Sequence, residues 1–145
     1  MSAPAAILSI LAAALLFWLA WKYEWLLEPG ERKFNEAYRS RKPLSDEAMI
    51  EQFYMDSPID PRVAIETRTI FAHQLQYGRE RLHPDDDFTF ILAEVDCVEL
   101  VTEIEEAFGI ELSNDELTST PATIRSASEL VQGKLNAKGS NLPAR

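Results

Sequence analysis

Val95-Asp96-Cys97-Val98-Glu99-Leu100-Val101-Thr102-Glu103-Ile104-Glu105-Glu106-Ala107-Phe108, closed by Gly109, is the stretch whose reading decides the fold. On a helical wheel of roughly 100° per residue, six apolar positions gather on one side and are expected to face a core. They are Cys97, Leu100, Val101, Ile104, Ala107 and Phe108. Asp96, Glu99, Glu103 and Glu106, spaced three, four and three apart, line the other side, with Glu105 set apart from them. Glu99 and Glu103 are like charges at i and i+4, a pairing that destabilises a helix by a few tenths of a kcal/mol. Val95 and Val98 fall beside the acidic stripe, away from the core cluster. An anionic ridge flanked by two valines reads as a docking surface, where charge steers approach and apolar contact holds. The competing reading is a solvated face that keeps the domain soluble, and the pattern alone favours it.

Outward from this helix the apolar spacing stays helical. Asp60-Pro61 pairs an N-cap with a first-turn proline. The helix they open is expected to run to about Gln76, with Val63, Ile65, Ile70, Phe71 and Leu75 on its apolar positions and Gly78 as its stop. Leu82 to Ala93 reads as a long connector containing His83-Pro84 and Asp85-Asp86-Asp87. Beyond Gly109, a short helix is expected near Asn114–Leu117 and a final one from Thr123 to Leu135, followed by a frayed polar tail. Upstream, Ser45 caps a short helix through Tyr54, and Ser57-Pro58 breaks it. Glu31–Ser40 fits either a short polar helix or a stalk. No segment alternates convincingly, so the expected class is all-α. The expected division is 1–28, 29–58, 59–136 and 137–145: an anchor, a linker with a short helix, a helical bundle and a tail.

The anchor is read from Ala5 to Trp21, which holds no charge and only Ser9 as a polar residue. A helix of that length rises about 25 Å, near the low end for crossing a bilayer. Trp18, Trp21, Tyr23 and Trp25 make an aromatic belt at one end. A cleaved signal would need a basic start and a small-x-small site, and neither is present. An uncleaved transmembrane helix is therefore expected, with the membrane as a partner. Lys22, Arg32, Lys33, Arg39, Arg41 and Lys42 follow it, so the positive-inside rule puts the soluble domain on the cytoplasmic side.

Composition narrows the chemistry. Across 145 residues, 14 Lys+Arg stand against 24 Asp+Glu, a net charge of −10. That balance repels phosphates and argues against nucleic acid. The single Cys97 rules out an internal disulfide, and no Cys/His cluster offers a zinc site. On the wheel Cys97 lies on the core face, as an inert thiol would. His83 with the three aspartates lacks the spacing of a calcium loop, and His73 has no evident partner. No phosphate loop, nucleophile triad or paired-carboxylate site stands out, so no catalytic residue, metal site or enzyme is expected.

Val98-Glu99-Leu100-Val101, followed by Glu105-Glu106-Ala107-Phe108-Gly109-Ile110-Glu111-Leu112, resembles the recognition helix and following turn of acyl carrier proteins. Leu82-His83-Pro84-Asp85-Asp86-Asp87-Phe88 resembles their long first loop, and Thr123-Ile124 through Leu130-Val131 their last helix. The likeness covers roughly Asp60 to Leu135 and is strongest at the acidic helix. It implies a four-helix bundle whose acidic helix meets a protein with a basic patch. Val95 and Val98 match the apolar contact positions, and Glu99, Glu105 and Glu106 acidic ones. The departure is sharp. Carriers begin this helix with Asp-Ser-Leu, and the serine hydroxyl takes 4′-phosphopantetheine; here Glu94 stands at the serine position, and the loop before it is short. Between Phe88 and Phe108 the only hydroxyls are Thr89 and Thr102, both misplaced. The resemblance and its departure together imply a carrier-like module without phosphopantetheine or other cofactor. Its partner-binding residues would be Val95, Val98, Glu99, Glu103 and Glu106. Two alternatives stay open: a working carrier modified at another hydroxyl, serving membrane-proximal lipid or fatty-acid synthesis, and a purely structural spacer.

Overall fold

A computed structural model describes residues 12–19, 29–92, 97–113, 115–116 and 119–140. Among the described residues from Pro29 onward, six helices follow one another: α1 (Pro29–Ser40), α2 (Asp46–Phe53), α3 (Pro61–Leu75), α4 (Thr89–Leu92), α5 (Cys97–Phe108) and α6 (Ile124–Ser140). A single 3-10 turn, Arg79–Arg81, lies between α3 and α4. No strand occurs among the described residues. The all-α expectation holds among the described residues.

The capping signals at Asp60 and Ser45 work as read. Asp60 Oδ1 accepts from the Arg62 amide at 2.8 Å, and Pro61 occupies the first turn of α3. Ser45 Oγ accepts from the Ala48 amide at 3.2 Å to start α2. Ser113 and Glu116 form a reciprocal capping box, Glu116 Oε2 taking the Ser113 amide at 2.9 Å. The stop of α3 differs from expectation. Gln76, with φ 57°, turns the chain into the left-handed region two residues before Gly78. Gly78 serves a different need: its amide donates to Tyr38 Oη at 2.7 Å, and a Cβ there would stand 2.9 Å from that same oxygen.

The long helix α3 is the centre of the bundle, packed against α6 and α5 and touched by α2 and the 3-10 turn. It buries Val63, Ala64, Ile70, Phe71 and Ala72 against Leu100, Val101 and Ile104 of α5 and Ile124, Ala127 and Val131 of α6. Apolar burial is worth about 25 cal/mol per Å2, so this three-helix seam supplies the main driving force for folding. At its edge, Arg68 of α3 is fully buried, its guanidinium donating to Leu82 O at 3.1 Å, Leu44 O at 3.2 Å and Asp46 Oδ1 at 3.2 Å. The segment Glu31–Ser40, undecided from sequence, is helical in α1 and packs on α4. The final helix runs on to Ser140 where a frayed tail was expected. Lys138 Nζ, in its last turn, donates to Gly109 O at 2.7 Å and so satisfies a carbonyl left open after α5.

The transmembrane anchor is corrected, and with it the single-pass membrane location and the cytoplasmic placement drawn from it. No helix among the described residues is long and apolar enough to cross a membrane. Residues 12–19 are helical. Leu15, Leu16, Phe17, Trp18 and Leu19 are exposed there. The remainder of the expected anchor, including Trp21, Tyr23 and Trp25, lies outside the described residues.

Candidate protein-interaction face

The wheel of α5 separates correctly at its centre and loosely at its ends. Leu100 is 1% exposed, and Val101 and Ile104 are buried with it against α3. Cys97 and Phe108 are half-buried, and Ala107, expected in the core, faces solvent. Cys97 Sγ reaches Leu92 O at 3.2 Å, which spends its weak donor within the fold. On the other side Val98 is 58% exposed, and Glu99 and Glu106 are exposed with it. Val95 and Asp96, along with Glu94 at the expected serine position, lie outside the described residues.

The acids of α5 are not equivalent. Glu103 is tied back to α3: the Gln74 amide donates to its Oε2, and His73 Nδ1 stands 3.2 Å from both oxygens. The Gln74 hydrogen bond, with His73 adding to it, holds the Glu103 carboxyl below the usual carboxylate range. Glu105 turns the other way, its Oε1 accepting from the Leu112 amide at 2.7 Å and bracing the turn after Gly109. This accounts for the place of Glu105 off the stripe. Glu99 and Glu106 remain, directed outward. Between them and α3 runs an open groove lined by Gln74, Val98, Glu99, Thr102, Glu103 and Glu106. Its lining mixes one apolar side chain with an amide, a hydroxyl and three carboxylates. Thr102 Oγ1 is occupied by Val98 O at 2.8 Å.

The three aspartates of the long loop each accept hydrogen bonds within the fold. Asp86 is buried and takes a two-pronged bond from Arg41, Nη1 to Oδ2 at 2.7 Å and Nη2 to Oδ1 at 2.6 Å, together with the His83 amide at 2.8 Å. Asp85 receives Arg125 in the same forked manner, at 2.5 and 2.9 Å. That bonding holds its carboxyl below the usual range. Arg125 also donates to Phe53 O at 3.0 Å and lies 5.0 Å over the Tyr54 ring. Asp87 accepts from the Thr89 amide and hydroxyl and starts α4. His83 packs on Phe53, and burial pushes its imidazole pKa down. Among the described residues no group of three His, Cys, Asp or Glu could hold a metal ion. The residues that sequence reasoning missed are thus three arginines, 41, 68 and 125. Only Arg41 stood out there, as a flanking positive charge, and nothing in the local pattern announced partners some twenty to seventy positions away.

No protein-family model matches the chain, and no solved structure matches it.

Proposed function

We propose that this chain is a non-catalytic protein-interaction module that presents the acidic face of α5 to a partner with a basic patch. The observation that carries the reading is the division of labour among the α5 acids. Glu103 and Glu105 are used internally, whereas Glu99 and Glu106 flank Val98 at an open groove with their charge directed outward. In that division Glu99 and Glu106 steer approach, Val98 supplies apolar contact, and Glu103, anchored by Gln74, fixes the groove wall. The resemblance of α5 and its flanks to the recognition helix of acyl carrier proteins supports the same assignment, as does the absence of a serine between Phe88 and Phe108.

The test is a double charge reversal, Glu99→Lys with Glu106→Lys, in the full chain, followed by affinity capture from lysate and surface-plasmon measurement on each captured protein. Glu51→Lys, an exposed acid on α2, is the control. Association should slow by about tenfold or more and lose its salt dependence in the double variant alone. Survival of every captured partner at unchanged rate refutes the assignment. Intact-mass measurement after co-expression with a phosphopantetheinyl transferase should show no added arm, and a modified hydroxyl would replace this reading with a working carrier.

A further inference from the structure

Helix α1 is attached to the bundle differently from the rest. Of its residues only Phe34 is fully buried, at 6% exposure, and its principal helical neighbour is the four-residue α4. The Phe34 ring rests on a shelf of aromatic rings, 5.1 Å from Tyr77, 5.4 Å from Phe88 and 5.7 Å from Phe90. Beside it the half-buried Tyr38 ring meets Tyr77 at 5.0 Å, and the remaining ties are part-buried polar bonds: Tyr38 Oη with the Gly78 amide, Tyr77 Oη donating to Asn35 Oδ1 at 3.0 Å, and the Arg41 fork on Asp86 just past the helix end. The seam is also unsealed. A cleft of about 290 Å3 runs along it, with Lys33, Ala37 and Arg41 on one bank and Asp87 and Phe90 on the other. By contrast, the α3, α5 and α6 seam is formed by buried apolar side chains continuous with the core. Segments that bury little apolar surface open before the rest of a domain does.

We propose that α1 is a releasable strap: it undocks from the shelf of Tyr77, Phe88 and Phe90 as a unit while α2 to α6 stay folded, and the Arg41–Asp86 fork is its latch. The shelf is complete without α1, since its rings are carried by the α3 end and by the start of α4, each held by its own backbone bonds. Phe88 is anchored through its amide to Ala122 O at 2.9 Å and its carbonyl to the Leu92 amide at 2.9 Å. Undocking therefore uncovers an aromatic surface next in sequence to the approach to α5, without requiring the bundle to open.

Hydrogen exchange read by mass spectrometry on the full chain tests this. Peptides within 29–42 should exchange faster than those within 61–75 and 124–140 in the native protein. Arg41→Ala should raise exchange of 29–42 by about tenfold, the scale of one charge-assisted fork, and leave 61–75 and 124–140 unchanged. Arg41→Lys keeps the charge and loses the fork, so it should give a smaller rise in the same peptides and carries the test if the alanine variant does not fold. A parallel rise across all helices, a native protection of 29–42 equal to that of 61–75, or failure of both variants to fold would each show that α1 belongs to a single cooperative unit and overturn the proposal.

Discussion

Replacing Arg68 with Met keeps an unbranched chain of similar reach and removes the guanidinium. The native group is fully buried and serves three acceptors, Leu82 O, Leu44 O and Asp46 Oδ1. Two of these are backbone carbonyls, and a buried acceptor left without a donor is destabilising by about 1–3 kcal/mol. Asp46 is partly protected, because Arg79 Nη2 also reaches it at 3.0 Å. Against the loss stands the burden that the arginine carries: burial pushes its pKa down, so its desolvation opposes folding, and an apolar side chain is relieved of it. The balance is a loss of about 3 kcal/mol, a large share of the 5–15 kcal/mol available to a domain. For a chain of this size that is a fall in Tm of about 10 °C. Urea unfolding followed by circular dichroism at 222 nm, with the m-value checked for two-state behaviour, measures it. A loss under about 1 kcal/mol, or a gain, would refute the reasoning by showing that the apolar replacement offsets the orphaned carbonyls.

Other outcomes follow from the same geometry. Asp85 has its folded pKa depressed, so the stability it contributes is present above the ordinary carboxylate range and is lost as pH falls through the folded value. Asp85→Asn should therefore flatten the acid limb of a pH-stability profile below about pH 4 and lower stability at pH 7. Leu100→Ala should be destabilising by about 2–5 kcal/mol, whereas Ala107→Ser on the same helix should change stability by under about 0.5 kcal/mol; equal effects would deny the observed rotation of α5. Gly78→Ala should be destabilising by about 1 kcal/mol through displacement of the Tyr38 hydroxyl rather than through backbone strain, so pairing it with Tyr38→Phe should cost little more than either alone in a double-mutant cycle.

Helix starts were legible because their causes are local: Asp60 before Pro61, Ser45 before two acids, and the three-and-four spacing of α5 need only neighbouring residues. The end of α3 was less so, since Gln76 adopts a conformation that a glycine two positions on was expected to supply. The apolar run near the N-terminus was read by length and hydropathy alone, and no helix among the described residues is long and apolar enough to cross a membrane. At the proposed interaction face the stripe of acids was visible, yet the wheel could not distinguish Glu103, bonded to Gln74, from Glu106, which faces outward. That distinction depends on where α3 lies, some thirty residues earlier. The same limit hid Arg68 and Arg125, whose burial and forked bonds exist only once the loop at 82–88 has closed on them.

Arg125 joins pieces of chain that are made at very different times. Its donors meet a carbonyl of residue 53 and a carboxylate of residue 85, separations of 72 and 40 positions. During synthesis the loop carrying Asp85 leaves the ribosome long before that cation, so α2 and the loop must wait without their shared tie. A chain arrested before residue 125 would consequently lack this tie and α6 together, leaving α3 without its largest packing partner.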